Sequence, residues 1–265
     1  MMRSTEVEVA KTSTHTEKTV SGCFLYAIVA GDIEGEEFEL AGVDATTVYA
    51  ISDGQVAEVV SSFPMQKVRP ERRRLAAHND VLKQLMRTHT VLPMVFGLIA
   101  DNSSAMRRIL ERNRRFFLAQ LDRFRDTVEM DVRVTWDVPN ILEHLIGIHP
   151  DLKAFRDHVF RGVQEPSNDQ KIELGRQFDR ALTKDRHDQT QAITKSLAPY
   201  YTEIATNKPR HEREIANLAF LVDRGRIKEF ETAVVNIAKQ YDNHHAFDLN
   251  GPWPPHNLIA IDHKL

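Results

Sequence analysis

Two rhythms of apolar residues alternate along the chain, one of period two and one near 3.6, and their order sketches a fold. The run CFLYAIVA, residues 23–30, is continuously apolar and β-prone, which predicts a strand buried on both faces and central in its sheet. TVYAIS and QVAEVVSSF flank Asp53-Gly54, a pair that supplies positive φ in a tight turn, so residues 47–62 are expected to form a β-hairpin. Beyond Pro64 and Pro70, the residues Leu75, His78, Leu82, Leu85 and Met86 share one face of a helix, with Pro70 suited to its start. VLPMVFGLI, residues 91–99, has strand character, but Pro93 cannot donate to a ladder, which assigns its start to an edge or a bulge. In 103–126 the residues Met106, Leu110, Phe117, Leu121 and Phe124 form a helical seam, broadened by Ile109 and Phe116 and capped by Ser103 or Ser104. Around the seam lie Arg107, Arg108, Arg112, Arg114 and Arg115, with Glu111 spaced for weak ion pairs to Arg107 and Arg115.

After Asp126 the period changes abruptly, which marks a domain boundary. Val128, Met130, Val132, Val134 and Trp136 alternate with Glu129, Asp131, Arg133 and Thr135, the pattern of a half-buried antiparallel strand; the sharper reading is an edge that accepts a partner strand. Two short helices follow, one carrying Ile141, Leu142, Leu145 and Ile146, the other running from Pro150 through Phe155 and Val159. Pro166, Ser167 and Gln170 make a capping-box start for 166–206, where Leu174, Phe178, Ala181 and Leu182, then Ile193, Leu197, Tyr200, Tyr201 and Ile204, recur at helical spacing. Between the two sets TKDRHDQT, 183–190, buries nothing obvious, so a helical hairpin or arm inserted into a domain is expected. EIANLAFLVDRG reads as a strand and turn, Ile227, Phe230, Val234, Ile237 and Tyr241 as an amphipathic helix, and HAFDLNG as a closing strand. This order suits an α+β sandwich of the ferredoxin type with a helical insertion, its fourth strand not evident.

At 42% hydrophobic and 28% charged over 265 residues, the composition is that of a globular protein able to bury a real core. No apolar run approaches the roughly 20 residues of a membrane span. Residues 1–22, rich in Thr, Ser, Glu and Lys, lack both a signal-peptide centre and any period, and are expected to be a disordered tail. The expected location is the cytoplasm. Cys23, the one cysteine, precludes an intramolecular disulfide or a multi-cysteine metal site, and the formal net charge of −3 gives no overall pull toward nucleic acid or anionic lipid.

The usual chemical motifs are missing. Neither glycine-rich phosphate loop occurs, and the glycines of GDIEGEEFELAG, 31–42, stand among five acids. G-x-S-x-G, H-E-x-x-H and metal-binding loop patterns are absent too, so no catalytic residue, cofactor or metal site is assigned. His244 and His245, with Asp242 and Asp248, are the densest histidine group, but neighbours on a strand face opposite ways. His78 is expected to be a hydrogen-bonded core histidine; the alternative is a small-molecule-binding protein or enzyme with a pocket near His78 or Tyr241. The arginines at 72–74 and 107–115 read as solvated or salt-bridged, with a nucleic-acid grip as the sharper reading.

The sequence closes on GPWPPHNLIAIDHKL, 251–265, where Pro252, Pro254 and Pro255 hold the backbone extended around Trp253. FLYAIV, HNDVLKQLM followed by VLPMVFG, VEMDVRVTWD, NLAFLVDRGRIKEF and GPWPPHNL occur in an order and spacing that resemble the gas vesicle protein F/L family, accessory proteins of gas vesicle formation. The resemblance spans 24–258; Val95 and Leu98 stand where many members have a polar or basic residue and a threonine. It implies a non-enzymatic protein of two packed α+β domains, 23–126 and 127–250, the second ferredoxin-like with helices inserted at about 150–207. It implies a tail, 251–265, that straps the domains by laying Trp253 and Pro254 across their interface. The implied partners are the small apolar gas vesicle shell protein and other accessory proteins, with no cofactor, nucleic acid or membrane, and the implied location is the gas vesicle or the cytoplasm. Candidate partner surfaces are the face bearing Arg107, Arg108, Arg112 and Arg115, the polar arm at 183–190 and a free edge near Pro93.

Overall fold

The apolar run near the start becomes the centre of a sheet. In the computed structural model, which describes residues 21–162 and 165–259, β1 (Ser21–Ala30) lies beside β4 (Val56–Pro64) on one side and two short strands on the other. The full set is β2 (Glu37–Ala41), β3 (Thr47–Ser52), β4, then α1 (Arg72–Leu85), β5 (Leu92–Pro93), β6 (Ile99–Ala100) and α2 (Ser103–Arg123), with sheet order β2-β3-β4-β1-β5 and β6 also pairing with β1. Of the tail expected to be disordered, residues 1–20 lie outside the described residues, whereas Ser21 and Gly22 belong to β1 opposite Pro64 and Phe63.

A register shift between Leu25 and Ala27 lets β1 serve two cores. Phe24, Tyr26 and Val29 pack in the cluster of Val81, Leu82 and Leu85 from α1, while Cys23, Leu25 and Ile28 pack with Met106, Leu110 and Phe117 from α2. The β3–β4 turn is set by Gly54 at φ 94° and by Asp53, whose Oδ1 accepts the amides of Gln55 and Val56 at 3.0 and 3.1 Å. Two helical expectations fail at single positions. Leu75 and Phe116 are exposed, and the α2 cap is Asn102, whose side chain accepts the Ala105 amide, in place of a serine.

The second sheet comprises β7 (Thr127–Trp136), β8 (Glu203–Thr206), β9 (Glu214–Asp223) and β10 (His245–Trp253), all antiparallel in the order β10-β7-β9-β8. Between β7 and β8 come α3 (Ile141–Ile148), α4 (Pro150–Val159) and α5 (Asn168–Leu197); α6 (Ile227–Ala238) joins β9 to β10. That is a βαββαβ connectivity with strand order 4-1-3-2, and β8 is the fourth strand absent from the sequence reading. β7 is therefore internal, which removes the edge-strand reading. Of the expected hairpin or arm, the structure has a single 30-residue helix, α5, opened by the Ser167–Gln170 capping box and continuous through 183–190. The closing strand also runs further than expected, through Pro252 and Trp253, with an irregularity after Asn250. Gly251 there has φ 134°, and a Cβ would meet Met130 Sδ at 2.8 Å and the Glu129 carbonyl at 2.9 Å.

One apolar cluster runs from the α1-covered face of the first sheet to the helix-covered face of the second, including Val128, Val132, Leu218, Phe220 and Phe230. Polar clamps cross the same junction. Arg224 donates from Nη1 to the Met86 carbonyl at 2.8 Å and from its amide to the Asp126 carbonyl at 2.8 Å, and Arg123 Nε donates to Glu203 at 2.9 Å.

Candidate functional site

On α2, helical spacing separates the arginines by direction, and direction decides their partners. Arg107 turns toward the β1–β2 loop and pairs with Glu34; Arg114 turns toward the β3–β4 turn and donates from Nε to Asp53 Oδ2 at 2.6 Å. Burial works against ionised Asp53, but the Val56 and Gln55 amides and Arg114 hold its pKa below the usual value. The expected pairs of Glu111 with Arg107 and Arg115 do not form. Arg108, Arg112 and Arg115, at i, i+4 and i+7, form an exposed column with no carboxylate partner among the described residues. Of the four arginines singled out from the sequence, Arg107 is thus committed within the chain and three face outward.

Next to α2 lies the segment Leu98–Asp101, which follows the candidate edge near Pro93 in the chain. Ala105 and Ile109 of α2, with Leu25, Leu98, Ile99, Ala100 and Asp101, line a cleft of about 190 Å³. Val95 is 57% exposed, and Met65 and Leu98 are exposed as well.

The tail makes the longest-range contact. Pro254 and Pro255 are buried, Trp253 is half-buried with Lys83 Nζ of α1 4.4 Å from its ring centroid, and Leu258 and Ile259 pack on the α2-side cluster. Glu129, expected on a solvated strand face, is 1% exposed; its carboxylate accepts the Asn257 amide at 2.8 Å and Asn257 Nδ2 at 2.7 Å. Burial pushes its pKa up to about 7, with Asp131 adding to the rise and the Asn257 bonds opposing it. No sequence signal marked Glu129 or Asn257, because alternation reports which face a residue takes and not what covers that face.

His78 is enclosed by aromatic rings. It is 3% exposed, stacked on Tyr26 at 5.4 Å and edged by Phe24 and Phe96 at 5.8 and 5.6 Å, and burial lowers its pKa to about 4. The polar arm is likewise occupied: Arg186 donates to the carbonyls of His211, Glu212 and Glu214, and Asp185 holds His149 Nε2 at 2.8 Å. His244 and His245 both direct Nδ1 to Asp242, at 3.0 and 2.7 Å. Among the described residues no group of three or more His, Cys, Asp or Glu is placed to hold a metal ion, and no helix is long and apolar enough to cross a membrane.

Two antiparallel sheets with helices packed against them define a mixed α+β protein. Residues 22–259 match the family described as gas vesicle synthesis protein GvpL/GvpF, and the chain belongs to that family. It is 29% identical over 213 residues to gas vesicle protein F of Streptomyces sp. (strain CB03234), covering 80% of this chain and 87% of the relative. It is 27% identical to gas vesicle protein F of Nostoc sp. (strain PCC 7120), covering 91% and 99%. The crystal structure of GvpF from Anabaena sp. PCC7120 superposes with a TM-score of 0.78 at 27% identity, covering 92% of this chain and all of that one. GvpF from Microcystis aeruginosa, at 22% identity and a TM-score of 0.74 over 88% and 97%, shares the fold.

Proposed function

We propose that this protein is a non-enzymatic accessory protein of gas vesicles that binds the small apolar shell protein and supports nucleation or assembly of the vesicle wall, at the vesicle or in the cytoplasm. The observation that carries the reading is family membership across residues 22–259. Its physical sense is that a very apolar wall subunit aggregates in water unless its surface is covered before assembly. Exposed Leu98 and Phe116 supply apolar contact area near the α2 arginines, and other accessory proteins are further partners. Within the chain, Trp253 and Pro254 serve as a strap that keeps the two α+β domains, 23–126 and 127–250, docked.

Co-expression with the shell protein tests the reading. Shell protein kept soluble and co-purifying through moderate salt is the expected result. A shell protein equally insoluble with and without this chain, and never bound to it, overturns the reading.

A further inference from the structure

We propose that the outer face of α2, together with the cleft beside it, is a docking site for an amphipathic helix that carries acidic side chains alongside apolar ones. The inference deepens the accessory-protein reading by naming the partner's chemistry, and rests on that reading only for the partner being a vesicle component.

α2 leaves one side unused by contacts within the chain. Its buried stripe, Met106, Leu110, Phe117 and Leu121, is used by the first sheet. Two arginines are neutralised within the chain by Glu34 and Asp53. What remains outward is a column of three cations, Arg108, Arg112 and Arg115, and directly next to it around the helix a column of apolar residues, Ala105, Ile109 and Phe116. Ala105 and Ile109 of that column form one wall of the 190 Å³ cleft, whose other wall is Leu98–Ala100.

A strip of apolar side chains bordered by cations is the complement of a helix with an apolar stripe bordered by acids. Two carboxylates limit the match and orient it. Asp101 lines the cleft, and Glu111 is exposed on the side of the arginine column away from the apolar column. The partner's acids therefore sit over Arg108, Arg112 and Arg115, its apolar side chains enter between Ile109 and Leu98, and neither face meets Glu111. An extended strand is the poorer occupant, since β5 and β6 are two residues each and offer little ladder.

The test uses the full chain and a fluorescein-labelled helical peptide of about five turns, built of Ala, Leu and Glu with the leucines on one stripe and the glutamates beside it. Two controls replace every Glu by Lys, or every Leu by Gln. The Glu–Leu peptide is expected to bind in the ~10 μM range and to weaken with salt, and the controls and the triple variant R108Q/R112Q/R115Q to bind at least about tenfold more weakly. Leu98→Glu, at an exposed position, weakens it too. No binding of the Glu–Leu peptide, equal binding of the Lys peptide, or an unchanged triple variant overturns the proposal. So does self-association of the protein that the triple variant abolishes, which would give the face to a second copy. If the shell protein co-purifies as well with the triple variant as with the wild type, the accessory reading stands and this face is the wrong one.

Discussion

Glu129 and Asn257 are joined by two hydrogen bonds into one buried carboxylate, although 128 positions separate them in sequence. The pair fastens the tail to the face of β7 opposite the one that α6 covers. Asn257→Ala removes one of the donors and leaves the carboxylate short of a partner, at a cost of about 1–3 kcal/mol. Urea denaturation and limited proteolysis measure this, the tail becoming the first site cut. An Asn257→Ala protein as stable and as resistant as the wild type would show that the latch carries no weight.

Two buried carboxyls make stability fall with rising pH. Glu58, between Val56 and Val60 on the α2-covered face, has both oxygens without a partner, and burial, with Asp53 second, raises its pKa to about 8. Glu129 is raised to about 7. Both folded-state values exceed the unfolded carboxyl value, so the native state holds the extra protons. Their stabilisation is full below the unfolded value and is lost as pH rises through 7 and 8. Glu58→Gln is expected to flatten that slope and to exceed the wild type in stability above pH 8 by an amount on the order of a few kcal/mol. The measurement is unfolding free energy against pH for both proteins, and parallel curves would refute it.

His78 gives the opposite slope. Its folded value, about 4, lies below the unfolded one of 6.5, so its contribution is present above 6.5 and is lost as pH falls toward 4. His78→Phe, which keeps an aromatic ring among Phe24, Tyr26 and Phe96, is expected to remain folded further into acid than the wild type. Circular dichroism followed through acid titration reads the midpoint.

Trp253→Ala tests the proposed strap. Loss of a half-buried indole and of its Lys83 contact is expected to lower stability by about 1–3 kcal/mol. Pro254→Ala is expected to cost less. Unchanged melting temperature and unchanged protease resistance in Trp253→Ala would remove the strap.

Arg186→Lys tests whether the polar stretch of α5 is structural. A planar guanidinium reaches three carbonyls at the β9 end that an ammonium cannot reach together. The lysine variant is therefore expected to fare little better than alanine, each losing about 1–3 kcal/mol.

Elements with strong periodicity were legible in the sequence: β1, the β3–β4 hairpin, α2, β7, β9 and α6. The failures share a cause, namely contacts that come from elsewhere in the chain. β8 is four residues long with no clear alternation and gains its identity by pairing with β9. α5 stays continuous because Arg186 and Asp185 fasten its polar middle to distant partners. Glu34 outcompetes the local Glu111 for Arg107, and the tail covers a face of β7 that alternation marks only as polar. Legibility of the candidate surface was partial: the sequence marked its arginines, whereas the approach of Leu98–Asp101 to Ala105 and Ile109 came only from the fold.

The strand order of the second sheet also constrains biosynthesis. β7 is the earliest strand of its sheet to leave the ribosome, yet both of its neighbours, β9 and β10, emerge far later, after the whole of α3–α5. Until then an apolar strand waits with two open edges, the condition in which nascent chains pair wrongly. The first sheet, finished before residue 101, is meanwhile complete. Truncation or ribosome stalling before β9 therefore leaves both edges of β7 open, whereas a stall inside β10 leaves one.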